Sequence, residues 1–185
     1  MTDLKQVDNS LFRPTLVIGA SKTKQMLWYI SNVFFFKNPL NISSALKVFL
    51  LKIFGTKMGE GVVIKPAVNI KYPWKLTIGN HAWIGEHVWI DNLSEVSIGN
   101  HVTLSQGALL LTGSHDYKKI TFDLMTHPIT LEDGVWICAK SIVLGNTICR
   151  SHSVLGANSV ASGELEAYII YSGNPATPQK KRLVS

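Results

Sequence analysis

One histidine of the chain stands in a setting suited to proton transfer. His115 belongs to the motif Gly113-Ser114-His115-Asp116, within a segment, residues 111–130, that breaks the regular pattern on either side of it. Segments that leave a rigid scaffold often carry catalytic residues, and an imidazole ordinarily takes up and releases a proton near neutral pH. The sequence therefore makes His115 the leading candidate for a catalytic residue.

The group that orients this imidazole is left open by the sequence. Asp116 is the neighbouring carboxylate, but adjacent side chains of an extended segment point to opposite sides. A backbone carbonyl or a residue of another subunit is an equal alternative. Asp116 is kept as a candidate for contact with the substrate.

The other five histidines have simpler explanations. His81 and His101 occupy the same position of two similar segments, which predicts a stacked pair at a surface turn. The alternative is a zinc site that also includes His87, since three histidines are a common ligand set for zinc. His127 precedes a proline and His152 falls in a turn, so ordinary solvated positions are expected for both, and we predict no metal.

Two cysteines, Cys138 and Cys149, are separated by eleven positions. This spacing matches neither a CxxC pair nor a paired metal motif. Free thiols in a reducing cytoplasm are therefore expected rather than a disulfide. The polar start of the chain lacks the charged and apolar regions of a signal peptide, which also favours a cytoplasmic protein.

The charge distribution favours a small polyanionic ligand over nucleic acid. The formal net charge is +6, from 18 basic and 12 acidic residues. Basic residues concentrate at both ends, and Lys180, Lys181 and Arg182 form a local cluster. No basic stripe interleaved with aromatic residues, as in nucleic-acid-binding proteins, is present in the sequence.

After residue 57 the chain repeats with a period of six. Aliphatic or similar residues recur in one phase at Met58, Ile64, Ile70, Ile78, Ile84, Ile90, Ile98, Leu104 and Leu110, then at Leu131, Ile137, Val143, Cys149, Leu155 and Ala161. Most of these are followed four positions later by a small or β-branched residue. An α-helix needs apolar residues every three or four positions and an ordinary strand every two. A period of six instead predicts a short extended side and a tight turn, with three sides in a triangular coil.

Such coils stack, and several are needed to bury a core. We count about five coils, with two-residue insertions between Ile70 and Ile78 and between Ile90 and Ile98. The pattern predicts an all-β parallel β-helix, interrupted once between Leu110 and Leu131.

The first part of the chain is predicted to be helical. Residues 22–36 and 43–54 are rich in large apolar residues, carry scattered lysines and end at Asn38-Pro39 and Gly55. The longest apolar stretch is well short of the roughly 20 residues that span a bilayer. Two alternatives remain open: a helical pair packed on the main body, or a peripheral contact with the inner face of the membrane.

Several motifs resemble those of one family. They are the repeated Ile-Gly-x-x, the run Pro128 to Ile137, the turn Gly156-Ala157-Asn158-Ser159-Val160, the terminal Tyr171-Ser172-Gly173-Asn174-Pro175-Ala176, and the Gly-Ser-His-Asp motif. Over residues 57–182 the chain resembles the hexapeptide-repeat acyltransferases, and within them the WcaF-like sugar O-acetyltransferases of colanic acid and exopolysaccharide biosynthesis.

The resemblance implies a left-handed β-helix, against the usual right-handed rule for parallel connections. It implies an N-terminal helical segment over 1–56, a β-helix over 57–163 with a catalytic loop at 111–130, and a C-terminal tail over 164–185. It also implies a homotrimer.

The function implied by the resemblance is direct transfer of an acetyl group from acetyl-CoA to a sugar hydroxyl, with His115 as the base. By the same resemblance, cofactor-binding positions are Trp136, Ala139, Ala157, Lys180, Lys181 and Arg182. The aromatic side chain of Trp136 would line the acetyl-CoA channel, the two alanines would offer backbone groups to the pantetheine arm, and the basic cluster would meet the phosphates.

The acceptor is expected to be a sugar or a lipid-linked oligosaccharide. Asp91 and Asn92 end one coil ahead of the loop and are candidates for binding sugar hydroxyls; the alternative is a purely structural role at a corner. An amino sugar, an amino acid or an antibiotic is an alternative acceptor. A second alternative is a trimeric protein like the zinc carbonic anhydrases of the same repeat class.

Overall fold

A computed structural model describes residues 6–184. The protein is a β-solenoid preceded by two short helices. In chain order the strands are β1 Lys57–Met58, β2 Val63–Ile64, β3 Asn69–Ile70, β4 Leu76–Ile78, β5 Trp83–Ile84, β6 Trp89–Asp91, β7 Val96–Ile98, β8 Thr103–Leu104, β9 Leu109–Leu111, β10 Gly113–His115, β11 Leu124–Thr126, β12 Ile129–Leu131, β13 Trp136–Ile137, β14 Ile142–Leu144, β15 Thr147–Cys149, β16 Val154–Leu155, β17 Val160–Ala161, β18 Glu164–Leu165, β19 Ile169–Gly173 and β20 Ala176–Lys181.

Seventeen of the twenty strands form three parallel ladders, one for each side of the prism. Face A contains β1, β4, β7, β12, β15 and β18; face B contains β2, β5, β8, β13, β16 and β19; face C contains β3, β6, β9, β14 and β17. In each of the first five turns the chain passes from face A to B to C, so three corners, AB, BC and CA, connect the faces. The parallel β-helix expected from the period is confirmed. It has about six turns, the last without a strand on face C, rather than about five.

The residues that recur every sixth position point inward and stack turn upon turn. On face A the register aligns Met58 with Ile78 and then with Ile98, Leu131, Cys149 and Leu165. The aliphatic members of the three stacks are buried almost without exception. The first two turns are 20 residues long because each carries the predicted two-residue insertion at its CA corner.

Side chains at the AB corner add a ladder that runs along the prism. The carboxamide oxygen of Asn80 accepts a hydrogen bond from the Glu60 N–H at 2.9 Å. In the next turn, the carboxamide oxygen of Asn100 accepts one from the Asn80 N–H at 2.8 Å. Asp133 continues the ladder to the Asn100 N–H at 2.7 Å, and this bond lowers the pKa of its carboxyl. The residue before Asn80 is a glycine because a Cβ on residue 79 would lie 2.6 Å from the carbonyl carbon of Gly99 in the next turn. The repeated Ile-Gly-Asn-His motif is thus a corner motif.

Both segments predicted to be helical are helical in the structure, and they cover the open end of the first solenoid turn. Helix α1 spans Lys22–Ser31 and continues as a π-helical turn over Asn32–Phe36, and helix α2 spans Ser44–Ile53. Ser43 caps α2 by accepting a hydrogen bond from the Leu46 N–H, as the sequence indicates. Among the described residues there is no helix with the length and apolarity needed to cross a membrane.

The inner sides of these helices bind the exposed edge of the first turn. The Trp28 indole donates to the Ile70 carbonyl at 3.0 Å, and the Ser44 hydroxyl accepts from the Ile64 N–H at 2.9 Å. Trp28, Phe36 and Leu51 are buried in the same core as the solenoid stacks. Packing on the main body is therefore confirmed for the inner side of the helical pair.

The solenoid extends beyond the boundary predicted at residue 163. Strands β18 and β19 pair with β15 and β16 as a further turn, so the first ten residues of the predicted tail belong to the β-helix. The chain then reverses, and β20 pairs antiparallel with β19. The extension was not predicted because the step from Ala161 to Leu165 is four residues and leaves the sixfold phase.

We predict that Trp28→Ala lowers the free energy of unfolding by about 3–5 kcal/mol, because it removes a buried indole and its hydrogen bond to the first turn. Tyr29→Ala is the matched control: this neighbour is 68% exposed, and the change should cost less than about 0.5 kcal/mol. Chemical denaturation measures both. Equal losses for the two variants would show that the helices do not stabilise the solenoid.

Candidate active site

The segment predicted to interrupt the repeat leaves the solenoid at the CA corner. It begins and ends as a two-stranded antiparallel ribbon, in which β10 pairs with β11 and His115 lies opposite Leu124. Thr112 anchors the base of this ribbon. Its hydroxyl donates to the Asp91 carbonyl, and its carbonyl accepts a hydrogen bond from the His127 N–H. The ribbon therefore holds His115 at a defined position beside the third turn.

A backbone carbonyl orients the His115 imidazole. Nδ1 lies 2.8 Å from the carbonyl oxygen of Phe122, and the rings of His115 and Phe122 stack with centroids 4.4 Å apart. Because a carbonyl oxygen only accepts, Nδ1 is the donor, and in the neutral ring Nε2 carries the lone pair. The imidazole is half-buried and held in the tautomer that a general base needs.

Asp116 forms its hydrogen bonds within the loop that carries His115, and none of them is to the imidazole. Its carboxylate accepts a hydrogen bond from the Lys118 N–H at 3.1 Å, and its backbone N–H donates to the Asp123 carbonyl at 2.8 Å. Its side chain closes the turn that brings Phe122 back over His115. Of the alternatives left open by the sequence, the backbone carbonyl is the one that the structure places on the imidazole.

His115 opens into a groove of about 640 Å³ along the CA corner. One wall comes from the solenoid through Lys71, Tyr72 and Asp91. The opposite wall comes from the N-terminal segment before α1, which contributes apolar side chains including Phe12 and Leu16. The sequence offered no signal for this second wall, since residues 6–21 contain no repeat and no catalytic-type cluster.

Asp91 places a largely buried carboxylate in this groove. Lys71 Nζ lies 3.0 Å from Asp91 Oδ1, and the aspartate side chain is 11% exposed. The ammonium is the counter-ion of this carboxylate, and Oδ1 itself is inaccessible to solvent. Asp91 therefore lines the groove as the acidic partner of an ion pair with Lys71.

Asn92, the other residue predicted at this corner, is used in the fold. Its side chain is completely buried, accepts from the Tyr72 N–H at 3.0 Å and donates to the Tyr72 carbonyl at 2.6 Å. These bonds clamp the corners of two adjacent turns together. The geometry thus favours the structural alternative for Asn92.

The residues expected to bind the cofactor lie elsewhere on the prism. Ala139 and Ala157 stack at the BC corner of successive turns, where the Asn158 N–H donates to the Ala139 carbonyl at 3.0 Å. Trp136 projects outward from face B, and its indole donates to the Ser105 hydroxyl at 2.9 Å. Trp136 thus lies on face B, and the two alanines lie at the corner that follows this face.

The basic cluster is divided by the C-terminal hairpin. Lys180 and Lys181 are exposed on β20, opposite Ile170 and Ile169. Arg182 turns to the AB corner instead, where its guanidinium donates to the carbonyls of Gly134 and His152 at 2.9 and 3.1 Å. Its donors are partly committed to the fold, whereas the two lysines project into solvent.

His115 and the predicted cofactor residues therefore do not meet within one chain. The CA and BC corners are separated by the width of face C, about five extended residues or roughly 15 Å. Both corners border face C and lie at its two opposite edges. The chain therefore carries the two groups of predicted site residues on different edges of its prism.

Two turn histidines form the stacked pair expected from their spacing, whereas His152, expected to be solvated, is half-buried and stacks on the Tyr168 ring with centroids 4.7 Å apart. The rings of His81 and His101 stack at 5.2 Å on adjacent turns of the AB corner, and both residues adopt a positive φ of 56°. His87 lies at the BC corner, away from this pair. Within residues 6–184, no group of three histidine, cysteine or acidic side chains is arranged to hold a metal ion.

The two cysteines are free thiols with suppressed ionisation. Burial raises the pKa of Cys149 to about 12, and it raises that of Cys138 as well. Cys149 occupies an inward position of the face A stack, where it replaces an aliphatic residue. Neither environment activates a thiol as a nucleophile.

Solved structures identify the class of this solenoid. The hexapeptide-repeat acetyltransferase VCA0836 of Vibrio cholerae superimposes with a TM-score of 0.78 at 20% identity, over 88% of this chain and 94% of that one. Its complex with acetyl-CoA gives a TM-score of 0.75 at 21% identity, over 88% and 87% of the two chains. The fold is thus that of the hexapeptide-repeat acetyltransferases.

A sequence relative shows the family. The chain is 35% identical over 165 residues, 89% of its length, to an Escherichia coli K12 protein described as the colanic acid biosynthesis acetyltransferase WcaF, of which it covers 91%. The galactoside O-acetyltransferase of the same organism is 25% identical over 68% of this chain and 64% of that one. No protein-family model matches the chain. The chain belongs to the WcaF-like acetyltransferases.

We predict that Cys149 does not react with a thiol reagent such as DTNB in the folded protein at pH 8. With a pKa of about 12, roughly one thiol in 10,000 is ionised at that pH, and burial also blocks access. A Cys138→Ala variant isolates this thiol: it should show no fast reaction when folded and one equivalent in guanidinium chloride. Rapid labelling of the folded variant would contradict the buried position.

Proposed function

We propose that this protein transfers an acetyl group from acetyl-CoA to a hydroxyl of a sugar used in polysaccharide or surface glycan biosynthesis. The observation that carries the proposal is the His115 imidazole, held by the Phe122 carbonyl with Nε2 directed away from that contact, beside a groove. Membership of the WcaF-like family supports the acetyl donor and the sugar class of acceptor.

In the proposed reaction, His115 acts on the acceptor and forms no bond to the acetyl group. Nε2 takes the proton of the sugar hydroxyl as its oxygen attacks the thioester carbonyl carbon. The carbon–sulfur bond then breaks, and the imidazolium returns the proton to the departing thiolate. The hydrogen bond from Nδ1 to a neutral carbonyl holds the ring in one orientation throughout. This direct route needs no nucleophilic thiol, in keeping with the suppressed ionisation of Cys138 and Cys149.

Asp91 is proposed to bind the acceptor. Asp91 and its counter-ion Lys71 both line the groove that contains His115, and this ion pair offers an acceptor and a donor to sugar hydroxyls. Asn92 is omitted because both ends of its amide are already bonded to Tyr72. Asp116 is proposed to act indirectly, by shaping the turn that carries Phe122.

A strip at the BC corner is proposed to bind acetyl-CoA. Ala139 and Ala157 would offer backbone groups to the pantetheine arm, and Trp136 would line its path along face B. Lys180 and Lys181 are the better placed cations for the phosphates. Arg182 can contribute only the donors that the corner carbonyls leave unused.

The active unit is proposed to be a homotrimer with sites between neighbouring subunits. A CA corner with His115 and a BC corner with Ala139 and Ala157 lie on different edges of one prism. In a threefold ring, the two edges of adjacent copies face each other. The partly exposed apolar row on face C, which includes Trp89, Leu109 and Ile142, supports burial against a neighbour.

The same proposal places the protein in the cytoplasm, at the inner face of the membrane. Cys138 and Cys149 are free thiols, as is usual in a reducing compartment. Glycan assembly on lipid carriers would bring the acceptor to the membrane surface.

We predict that His115→Ala lowers kcat by roughly 100- to 10,000-fold, the usual contribution of a positioned base. The KM for acetyl-CoA should change little, because its proposed contacts lie at another corner. His127→Ala is the control: this exposed histidine lies in the same excursion but outside the groove, and the variant should keep near wild-type activity. A folded His115→Ala enzyme within a few-fold of wild type would place the base elsewhere.

We predict that two inactive variants complement each other in mixed trimers. His115→Ala removes the base at one edge, and Ala157→Trp fills the exposed BC corner at the other. If each site combines both edges across a subunit contact, coexpression in equal amounts restores about a quarter of the sites. A mixture of His115→Ala with the double variant should recover nothing. No recovery in the first mixture would place the complete site within one chain.

A further inference from the structure

The helical pair is apolar on the side that faces away from the solenoid. In the first helix and its π-helical turn, Trp28, Asn32 and Phe36 form the buried stripe, while Met26, Ile30 and Phe34 form a second stripe on the exposed surface. Phe34 is 62% exposed. A solvated helix normally presents polar residues opposite its buried face. The outer side of this segment therefore lacks the pattern of a surface in water.

Helix α2 and the connecting loop repeat this arrangement. Lys47 and Leu51 face the core. Leu46, Phe49 and Ile53 form a separate row on the same helix and are exposed. The loop before α2 presents Leu40 and Ile42, which are 85% and 81% exposed. Together with the outer stripe of α1 they form what we call the outer cap face: Met26, Ile30, Phe34, Leu40, Ile42, Leu46, Phe49 and Ile53. Such a concentration of exposed apolar side chains marks an interaction surface.

The segment that carries the outer cap face contains charged residues of one sign only. Residues 9–59 contain seven lysines and arginines and no aspartate or glutamate: Arg13, Lys22, Lys24, Lys37, Lys47, Lys52 and Lys57. Lys47 is buried and donates to the Asn41 carbonyl, while Lys22, Lys37 and Lys52 are exposed. The described segment that carries the apolar face is thus also strictly basic.

The combination of apolar and basic residues favours one kind of partner for the outer cap face over the others. A second copy would bring two basic faces together, and like charges across an interface oppose binding. The core of a protein interface is depleted in lysine. An anionic bilayer attracts nearby lysine and arginine side chains and takes up apolar side chains between its headgroups. Helices of ten residues are about 15 Å long, which suits contact with one leaflet.

We propose that the outer cap face docks on an anionic phospholipid bilayer, with its apolar side chains inserted among the headgroups and the flanking lysines on the lipid phosphates. This inference deepens the proposed location by naming the surface and the lipid chemistry. The groove beside His115 shares Lys71, Tyr72 and Asp91 with a cavity that reaches Met26 and Tyr29 on α1. If the proposed function holds, an acceptor anchored in the same leaflet approaches the base along this path.

Vesicle co-sedimentation of the full-length protein tests the docking. Wild type should bind vesicles that contain phosphatidylglycerol, bind phosphatidylcholine vesicles much more weakly, and be released by high salt. Leu40→Ser/Ile42→Ser/Phe49→Ser should lower the partition coefficient by roughly 100-fold or more. The matched control changes three apolar residues that are also exposed but lie outside the face, Val17→Ser/Leu183→Ser/Val184→Ser, and should bind like wild type.

Two further sets of variants test the role of the lysines and separate vesicle binding from acetyl transfer. Lys22→Gln/Lys37→Gln/Lys52→Gln should remove the preference for phosphatidylglycerol, whereas Lys118→Gln/Lys140→Gln/Lys180→Gln should retain it. His115→Ala should bind vesicles as wild type does, so docking is measured independently of acetyl transfer. Failure of the folded wild type to bind anionic vesicles would overturn the proposal. So would equal binding by the cap variant, or a loss of self-association in that variant, which would show that another copy covers the face.

Discussion

A parallel solenoid depends on pairing every turn with the next, and this requirement leaves its two ends open. Each strand offers backbone N–H and C=O groups along the prism, and interior turns satisfy one another. The first turn has no preceding turn, so side chains from the helical segment bind its edge, among them Trp28 on the Ile70 carbonyl and Ser44 on the Ile64 N–H. At the other end, β20 folds back on β19. Exposed strand edges invite unwanted pairing, which explains why a repeat protein begins with helices that do not repeat.

The same architecture restricts chemistry to the corners. The interior of the prism is filled by stacked aliphatic residues, and its faces are short strands whose backbone groups are already paired. Only at a corner can the chain depart without breaking the ladder, as it does between Thr112 and Pro128 to present His115. The corners also differ in content: the CA corner holds the imidazole and the Asp91 carboxylate, whereas the BC corner presents the backbone near Ala139 and Ala157. A site that draws on both corners needs a neighbouring prism.

Much of the fold follows from local pattern. The sixfold period, the two-residue corner insertions, the interruption and both helical segments were predicted correctly, because each depends on residue types close together in sequence. The number of turns was underestimated, since the step between Ala161 and Leu165 leaves the period while the stacking continues. His115 could be singled out because it lies where the period fails. The N-terminal wall of its groove could not, because Phe12 and Leu16 reach the site only through long-range folding.

The sequence by itself determined the period, and with it the three-sided prism, the inward stacks and the position of the excursion, because burial of one aliphatic residue per side is a local requirement. It also determined that a histidine and a basic C-terminal cluster were available for chemistry. Only the tertiary structure decided how these groups are used. It placed the Phe122 carbonyl on His115, tied Asn92 to Tyr72 and turned Arg182 onto the AB corner. Each of these depends on which backbone groups remain unpaired after the turns stack, and that is a property of the assembled solenoid rather than of any one repeat.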